Sequence, residues 1–165
     1  MTTEIIEKRV RELATLAESQ GVMIATAESC TGGGIATAIT ELAGSSAWFD
    51  AGFVTYSNQA KTRMLDVPAS VIEAYGAVSE QVVQAMATGA VTNSQAHISV
   101  AVSGVAGPGG GTDAKPVGTV WIAWHSAATS FTKVYQFAGD RAAVRLQAIE
   151  QALSGLIKLL DKNTV

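Results

Sequence analysis

Eight residues, Ala27-Glu28-Ser29-Cys30-Thr31-Gly32-Gly33-Gly34, join an apolar run, Val22-Met23-Ile24-Ala25, to a helix-like segment, Ile35-Ala36-Thr37-Ala38-Ile39. A strand that stops at a serine and three glycines before a helix aims backbone N–H groups at whatever sits there. Two chemistries suit such a junction. One is an anion or oxyanion held by the helix N-terminus, and the other is a serine nucleophile presented on a sharp turn.

The rest of the chain alternates helix and strand. Ile6, Val10, Leu13 and Ala17 recur at helical spacing, with Thr3 as a cap and Gly21 as a stop, which predicts a helix near 3–20. A strand at 22–27 and a helix from about 31 to 42 follow. Residues 48–56, rich in aromatic and β-branched side chains, read as a second strand. A short helix is expected over 58–65, another turn of helix from Pro68 to Tyr75, and a longer helix from Ser79-Glu80 to about 93, its acidic residue in the first turn. His97–Val102 reads as a third strand, and the stretch from Ser103 to Asp113 is too glycine-rich for a regular element. Gly118–His125 and Phe131–Phe137 form an expected antiparallel hairpin. The last helix begins at Asp140, and its stripe Ala142, Leu146, Ile149, Leu153, Leu156 and Leu160 marks either core or an interface. The expected fold class is α/β. Residues 1–165 are read as a single three-layer α/β/α domain with a mixed, largely parallel sheet.

At 165 residues, 48% of them hydrophobic, such a domain buries a substantial core without staples. The net charge of −3 leaves no basic footprint for nucleic acid. Cys30 is the only cysteine, so no intramolecular disulfide is possible, and neither His97 nor His125 has a Cys or His nearby at ligand spacing. A reduced, metal-free cytoplasmic protein is expected. The opening Met1-Thr2-Thr3-Glu4 shows no basic region leading into an apolar one, and no run approaches 18 apolar residues, so neither a targeting segment nor a membrane partner is expected.

The polar residues divide between structural and chemical readings. Ser29 is a natural helix N-cap, yet Thr31 could cap the same helix, and three successive glycines are a costly start unless backbone must approach a ligand. Glu28 points away from Ser29 in an extended chain and is read as structural. If Ser57 or Asn58 caps the short helix, Lys61 lies in its first turn, where the dipole disfavours an ammonium and lowers its pKa. It is then either a solvated surface lysine or a general base. Tyr56, at the strand end, either packs or positions its hydroxyl. Arg141 and Arg145, four residues apart on one face, either are solvated or grip a phosphate together. Asp113 and Lys115 are read as exposed loop polarity, and His97 and His125 as structural.

Taken together, Ala27-Glu28-Ser29-Cys30-Thr31-Gly32-Gly33, Gly52-Phe53-Val54-Thr55-Tyr56-Ser57-Asn58 with Lys61, Gly76-Ala77-Val78-Ser79, Ser103-Gly104-Val105-Ala106-Gly107-Pro108 and Lys115-Pro116-Val117-Gly118-Thr119-Val120 resemble the CinA C-terminal domain family. The similarity runs in order from about residue 5 to residue 160. Stand-alone members of that family are nicotinamide-nucleotide amidohydrolases. The resemblance implies hydrolysis of the carboxamide of nicotinamide mononucleotide, a pyridine-nucleotide recycling step, with no cofactor. It also implies Ser29 as nucleophile, Lys61 as its base and Tyr56 as a helper in proton transfer or orientation. The backbone at Cys30, Thr31, Gly32 and Gly33, with Ser103 and Gly104, would bind the amide oxygen or substrate, and Arg141 would face the phosphate.

An amide needs an activated nucleophile, an acid for the leaving ammonia and donors for the tetrahedral oxyanion, which agrees with the residues read independently. Two other readings stand beside it. A paralogue with the same fold could serve as a nucleotide-binding or regulatory module. A dinucleotide-binding oxidoreductase fits less well, because the first glycine cluster lacks the G-x-G-x-x-G spacing and no acidic residue follows a second strand at the required distance. The apolar stripe of the last helix makes a homodimer or higher homo-oligomer an expectation.

Overall fold

The computed structural model describes residues 3–162. Its strands are β1 (Ile24–Glu28), β2 (Phe49–Val54), β3 (Ile98–Gly104), β4 (Thr119–Ser126) and β5 (Ser130–Gln136). Its helices are α1 (Thr3–Gln20), α2 (Gly34–Thr40), α3 (Asn58–Leu65), α4 (Ala69–Tyr75), α5 (Glu80–Thr92) and α6 (Arg141–Lys162), with a short 3₁₀ turn at Ser45–Ala47. The strands form one sheet in the order β2-β1-β3-β4-β5. β1 pairs in parallel with β2 and β3, whereas β4 is antiparallel to both β3 and β5. Four strands therefore share a direction and β4 alone opposes them, which is the mixed, largely parallel sheet expected.

Alternation along the strands builds two unlike faces. Ile24, Val100, Ile122 and Trp124 pack with α1, α2 and α6. Ala25, Ala27, Ala101 and Ala123 face α3, α4 and α5, so the second layer rests on a floor of methyl groups. Leaving β1, the chain crosses to β2 through α2 on the first face, then returns to β3 on the other side of β1 through α3, α4 and α5 on the second. The carboxyl end of β1 is thus the point where the winding reverses, and ligands of open α/β sheets bind at that place.

Several boundaries differ from expectation for local reasons. α2 starts at Gly34 instead of residue 31, because Gly32 and Gly33 adopt φ of +57° and +96°, outside any right-handed helix. β1 begins two residues later than the apolar run and includes Glu28, while β3 extends to Gly104. Thr3, expected as the cap of α1, is its first described residue. Ser57 and Ser79 do cap α3 and α5, accepting from the N–H of Ala60 and Val82, and Asp140 accepts from that of Ala143 at the start of α6. The α6 stripe proves to be core: Leu153, Leu156 and Leu160 are fully buried, while Ala142 at its start is exposed. It therefore gives no ground for self-association. No helix of the described residues is long and apolar enough to cross a membrane.

Candidate active site

The turn after β1 is anchored on both sides. Ser29 N–H donates to the Val102 carbonyl at 3.0 Å, and Thr55 N–H donates to the Glu28 carbonyl at 2.9 Å, tying the turn to β3 and to the end of β2. Gly32 N–H donates back to the Ser29 carbonyl at 3.0 Å and closes the turn. The positive φ values of Gly32 and Gly33 carry the chain around it.

Lys61 reaches this turn from α3. Its side chain is 1% exposed, its Nζ lies 3.1 Å from Ser29 Oγ, and it donates to the Thr55 carbonyl at 3.1 Å. Burial pushes its pKa below the ordinary lysine value, against a smaller opposing influence from Cys30. No carboxylate forms an ion pair with it among the described residues. Nζ thus has two oxygen partners, the Ser29 hydroxyl and the Thr55 carbonyl.

A cavity of about 270 Å³ opens beside the pair, lined by Ser29, Cys30, Tyr56, Gly104, Gly107 and Arg141 among others. Its size is just under the ordinary range for small-molecule sites, roughly 300–1,000 Å³. A larger groove of about 540 Å³ lies between α3 and α4, where Asn58, Thr62, Ile72 and Glu73 bring neither the Ser29 hydroxyl nor the Lys61 amine. At the mouth of the first cavity Arg141 donates through Nη2 to the exposed Tyr56 hydroxyl at 2.8 Å and through Nη1 to the Gly107 carbonyl at 2.9 Å. These bonds join the end of β2, the start of α6 and the glycine-rich loop.

Other sequence candidates lie at different depths. Cys30 lines the cavity, but its thiol is buried and pushed up to about 11, mainly by desolvation and also by the Glu28 charge. Thr31, Gly32, Gly33 and Ser103 do not line the cavity. Ser103 is buried opposite Trp121 in the β3–β4 ladder, and Gly104 takes the cavity position next to it. The anion grip expected of the α2 N-terminus is already used: Glu28 Oε1 accepts from Ile35 N–H at 2.8 Å and Oε2 from Ala36 N–H at 3.1 Å. Arg145 does not join Arg141, since its Nη2 donates to the Thr31 carbonyl at 3.1 Å behind the turn.

His97 accepts at Nδ1 from Met23 N–H, and His125 pairs with Ser130 across the β4–β5 hairpin, both outside the cavity lining. Lys115 holds the Tyr75 carbonyl at 2.8 Å and so ties the long loop to the end of α4. No group of three or more His, Cys, Asp or Glu among the described residues is placed to hold a metal ion. The carbonyls of Thr55 and Gly107 were missed by sequence reasoning, because a backbone acceptor leaves no side-chain signature. The capping role of Glu28 did have one, an acidic residue three positions before a threonine at a glycine-rich helix start.

The sequence pattern of the CinA C-terminal domain matches residues 6–160. A nicotinamide-nucleotide amidohydrolase PncC of Pseudomonas putida is 60% identical over 136 residues, which span 82% of this chain and 85% of the relative. The protein of the same name from Escherichia coli (strain K12) is 46% identical over 165 residues, 99% of this chain and 100% of the relative. Among solved structures, the competence/damage inducible protein CihA from Agrobacterium tumefaciens superposes with a TM-score of 0.92 at 45% identity, covering 94% of this chain and 95% of that one.

Proposed function

This chain belongs to the CinA C-terminal domain family, and from that premise we propose that it hydrolyses the carboxamide of nicotinamide mononucleotide to nicotinate mononucleotide and ammonia. The observation that carries the reading is the Lys61 amine, buried and 3.1 Å from the Ser29 hydroxyl, at the mouth-lined cavity of a chain whose relatives bear that activity in their names.

Neutral Lys61 takes the Ser29 proton as Oγ attacks the amide carbon. Negative charge collects on the former carbonyl oxygen, where the backbone of Cys30, on the cavity wall, receives it. Collapse breaks the C–N bond, and the Lys61 ammonium returns its proton to the departing nitrogen, which leaves as ammonia. Water then attacks the Ser29 ester, giving its proton to Lys61, which passes it to Ser29 Oγ as the acid departs. The balance is amide plus water to acid plus ammonia, and neither metal nor redox cofactor enters it. Tyr56, held by Arg141, orients the proton transfers from the rim. Arg141 keeps Nη2 on the Tyr56 hydroxyl and turns Nη1 from the Gly107 carbonyl to a phosphate, exchanging a neutral acceptor for a charged one. A buried, unpaired thiol at Cys30 accords with a reducing, cytoplasmic setting.

The test is ammonia release with product mass, using purified protein and nicotinamide mononucleotide. Release of nicotinate mononucleotide upholds the hydrolase; binding of the nucleotide without turnover would instead assign the chain to a regulatory or nucleotide-binding role.

A further inference from the structure

Glu28 is fully buried beside Ser29, and no cation forms an ion pair with it among the described residues. A buried carboxylate is costly unless hydrogen bonds hold it. Here they do: Oε1 accepts from the Thr31 hydroxyl at 2.6 Å and from Ile35 N–H at 2.8 Å, and Oε2 accepts from Ala36 N–H at 3.1 Å. Capping a seven-residue helix does not by itself call for this arrangement, since a Ser or Asp at its start would serve. Gly33 stands at the N-cap of α2 with no side-chain bond to give, and the carboxylate arrives from the preceding strand. It therefore bridges the end of β1 to the start of α2, across the whole turn that carries Ser29.

Thr31 is the point where this bridge meets the turn. Its hydroxyl is fixed by Glu28, while its carbonyl accepts from Arg145 Nη2 at 3.1 Å and from Gly34 N–H at 2.9 Å. Arg145 also packs over Gly32, where a Cβ would stand 3.3 Å from its Nη2. Within the turn, Ser29 N–H is used on the Val102 carbonyl and Gly32 N–H on the Ser29 carbonyl, so the backbone on both sides of Thr31 is fixed as well.

The geometry points to Glu28, acting through the Thr31 hydroxyl, as a positioning residue that sets the shape of the turn carrying Ser29. This role rests on the hydrolase reading above. Neither side chain touches substrate. Loosening their bond displaces the nucleophile, and misplacement of a reacting atom lowers the chemical rate more than binding.

The test uses Thr31→Val, which keeps the shape and removes the hydroxyl, with Thr31→Ser as rescue and Glu28→Gln as a second lesion. Ser99→Ala is the control, because it deletes one buried hydroxyl bond, to the Ala87 carbonyl, on the opposite face of the sheet. Two readouts are taken: kcat and KM with nicotinamide mononucleotide, and the rate at which phenylmethanesulfonyl fluoride modifies Ser29, read by mass. In that labelling an S–O bond forms at Ser29 as fluoride leaves with the serine proton. Thr31→Val and Glu28→Gln are expected to lower kcat and labelling by on the order of 10- to 100-fold, with KM within about twofold. Thr31→Ser should return both to within about threefold of the parent, and Ser99→Ala should leave both unchanged. Parent-like kcat and labelling in Thr31→Val overturn the positioning role alone. If Thr31→Val does not fold, parent-like rates in Glu28→Gln do the same. A parent protein that neither labels nor turns over sinks the hydrolase reading, and this role with it.

Discussion

A lysine with 1% exposure and no carboxylate paired with it among the described residues holds its proton less tightly than an exposed one, because the ammonium has lost its water without gaining an anion. The sign of the pH dependence follows. Proton loss from Lys61 creates the base, so kcat/KM should rise with pH and level off along a limb below the ordinary lysine value of about 10.4. Lys61→Met should lower turnover by about 10²–10⁴-fold, the usual worth of a positioned base. Lys61→Arg should not rescue it, since a guanidinium stays charged throughout that range. A pH profile of the parent with no such limb would argue against Lys61 as the base. Arg141→Ala should lower kcat/KM for nicotinamide mononucleotide more than for the riboside, whereas equal losses would remove Arg141 from phosphate recognition. The Cys30 thiol, pushed up to about 11, should resist iodoacetamide at pH 8 in the folded protein and react after unfolding.

Among the elements, α6 shows most directly how packing constrains sequence. Trp124 on β4 is buried and donates through Nε1 to the Ala152 carbonyl, and Gly155 lies so close that a Cβ would overlap the indole. Gly155→Ala should therefore destabilise the fold by about 1–3 kcal/mol, as overpacking does, and urea midpoints would measure it. That contact joins residues 31 apart and could not be read from the sequence, where Gly155 is only an interruption in a helical stripe. Elements with local signals were legible: Ser57 and Ser79 announced α3 and α5, and the alternating 118–137 segment announced the hairpin. The start of α2 was not, because the turn that delays it is held by Glu28, seven residues before the N–H of Ile35 that it caps.

In the molecule as a whole, the winding of the chain brings Ser29, Tyr56, Lys61 and Gly104 together at one end of the parallel strands. Their convergence needed the sheet order and could not be computed from spacing; the motifs that marked them were legible because a serine among glycines and a lysine in a helix's first turn both break local preference. Whether Arg145 joins Arg141 was left open by the sequence, because helical spacing gives a shared face but not the direction in which two long side chains extend; Arg145 turns to the Thr31 carbonyl instead. The measurement that bears most directly on Ser29 as nucleophile is steady-state ammonia release from nicotinamide mononucleotide by Ser29→Ala beside the parent protein, both shown to be folded by circular dichroism. A nucleophile at Ser29 predicts a loss of at least about 10³-fold, beyond the 10²–10³ typical of losing one oxyanion donor. Turnover by Ser29→Ala at the parent rate would contradict it.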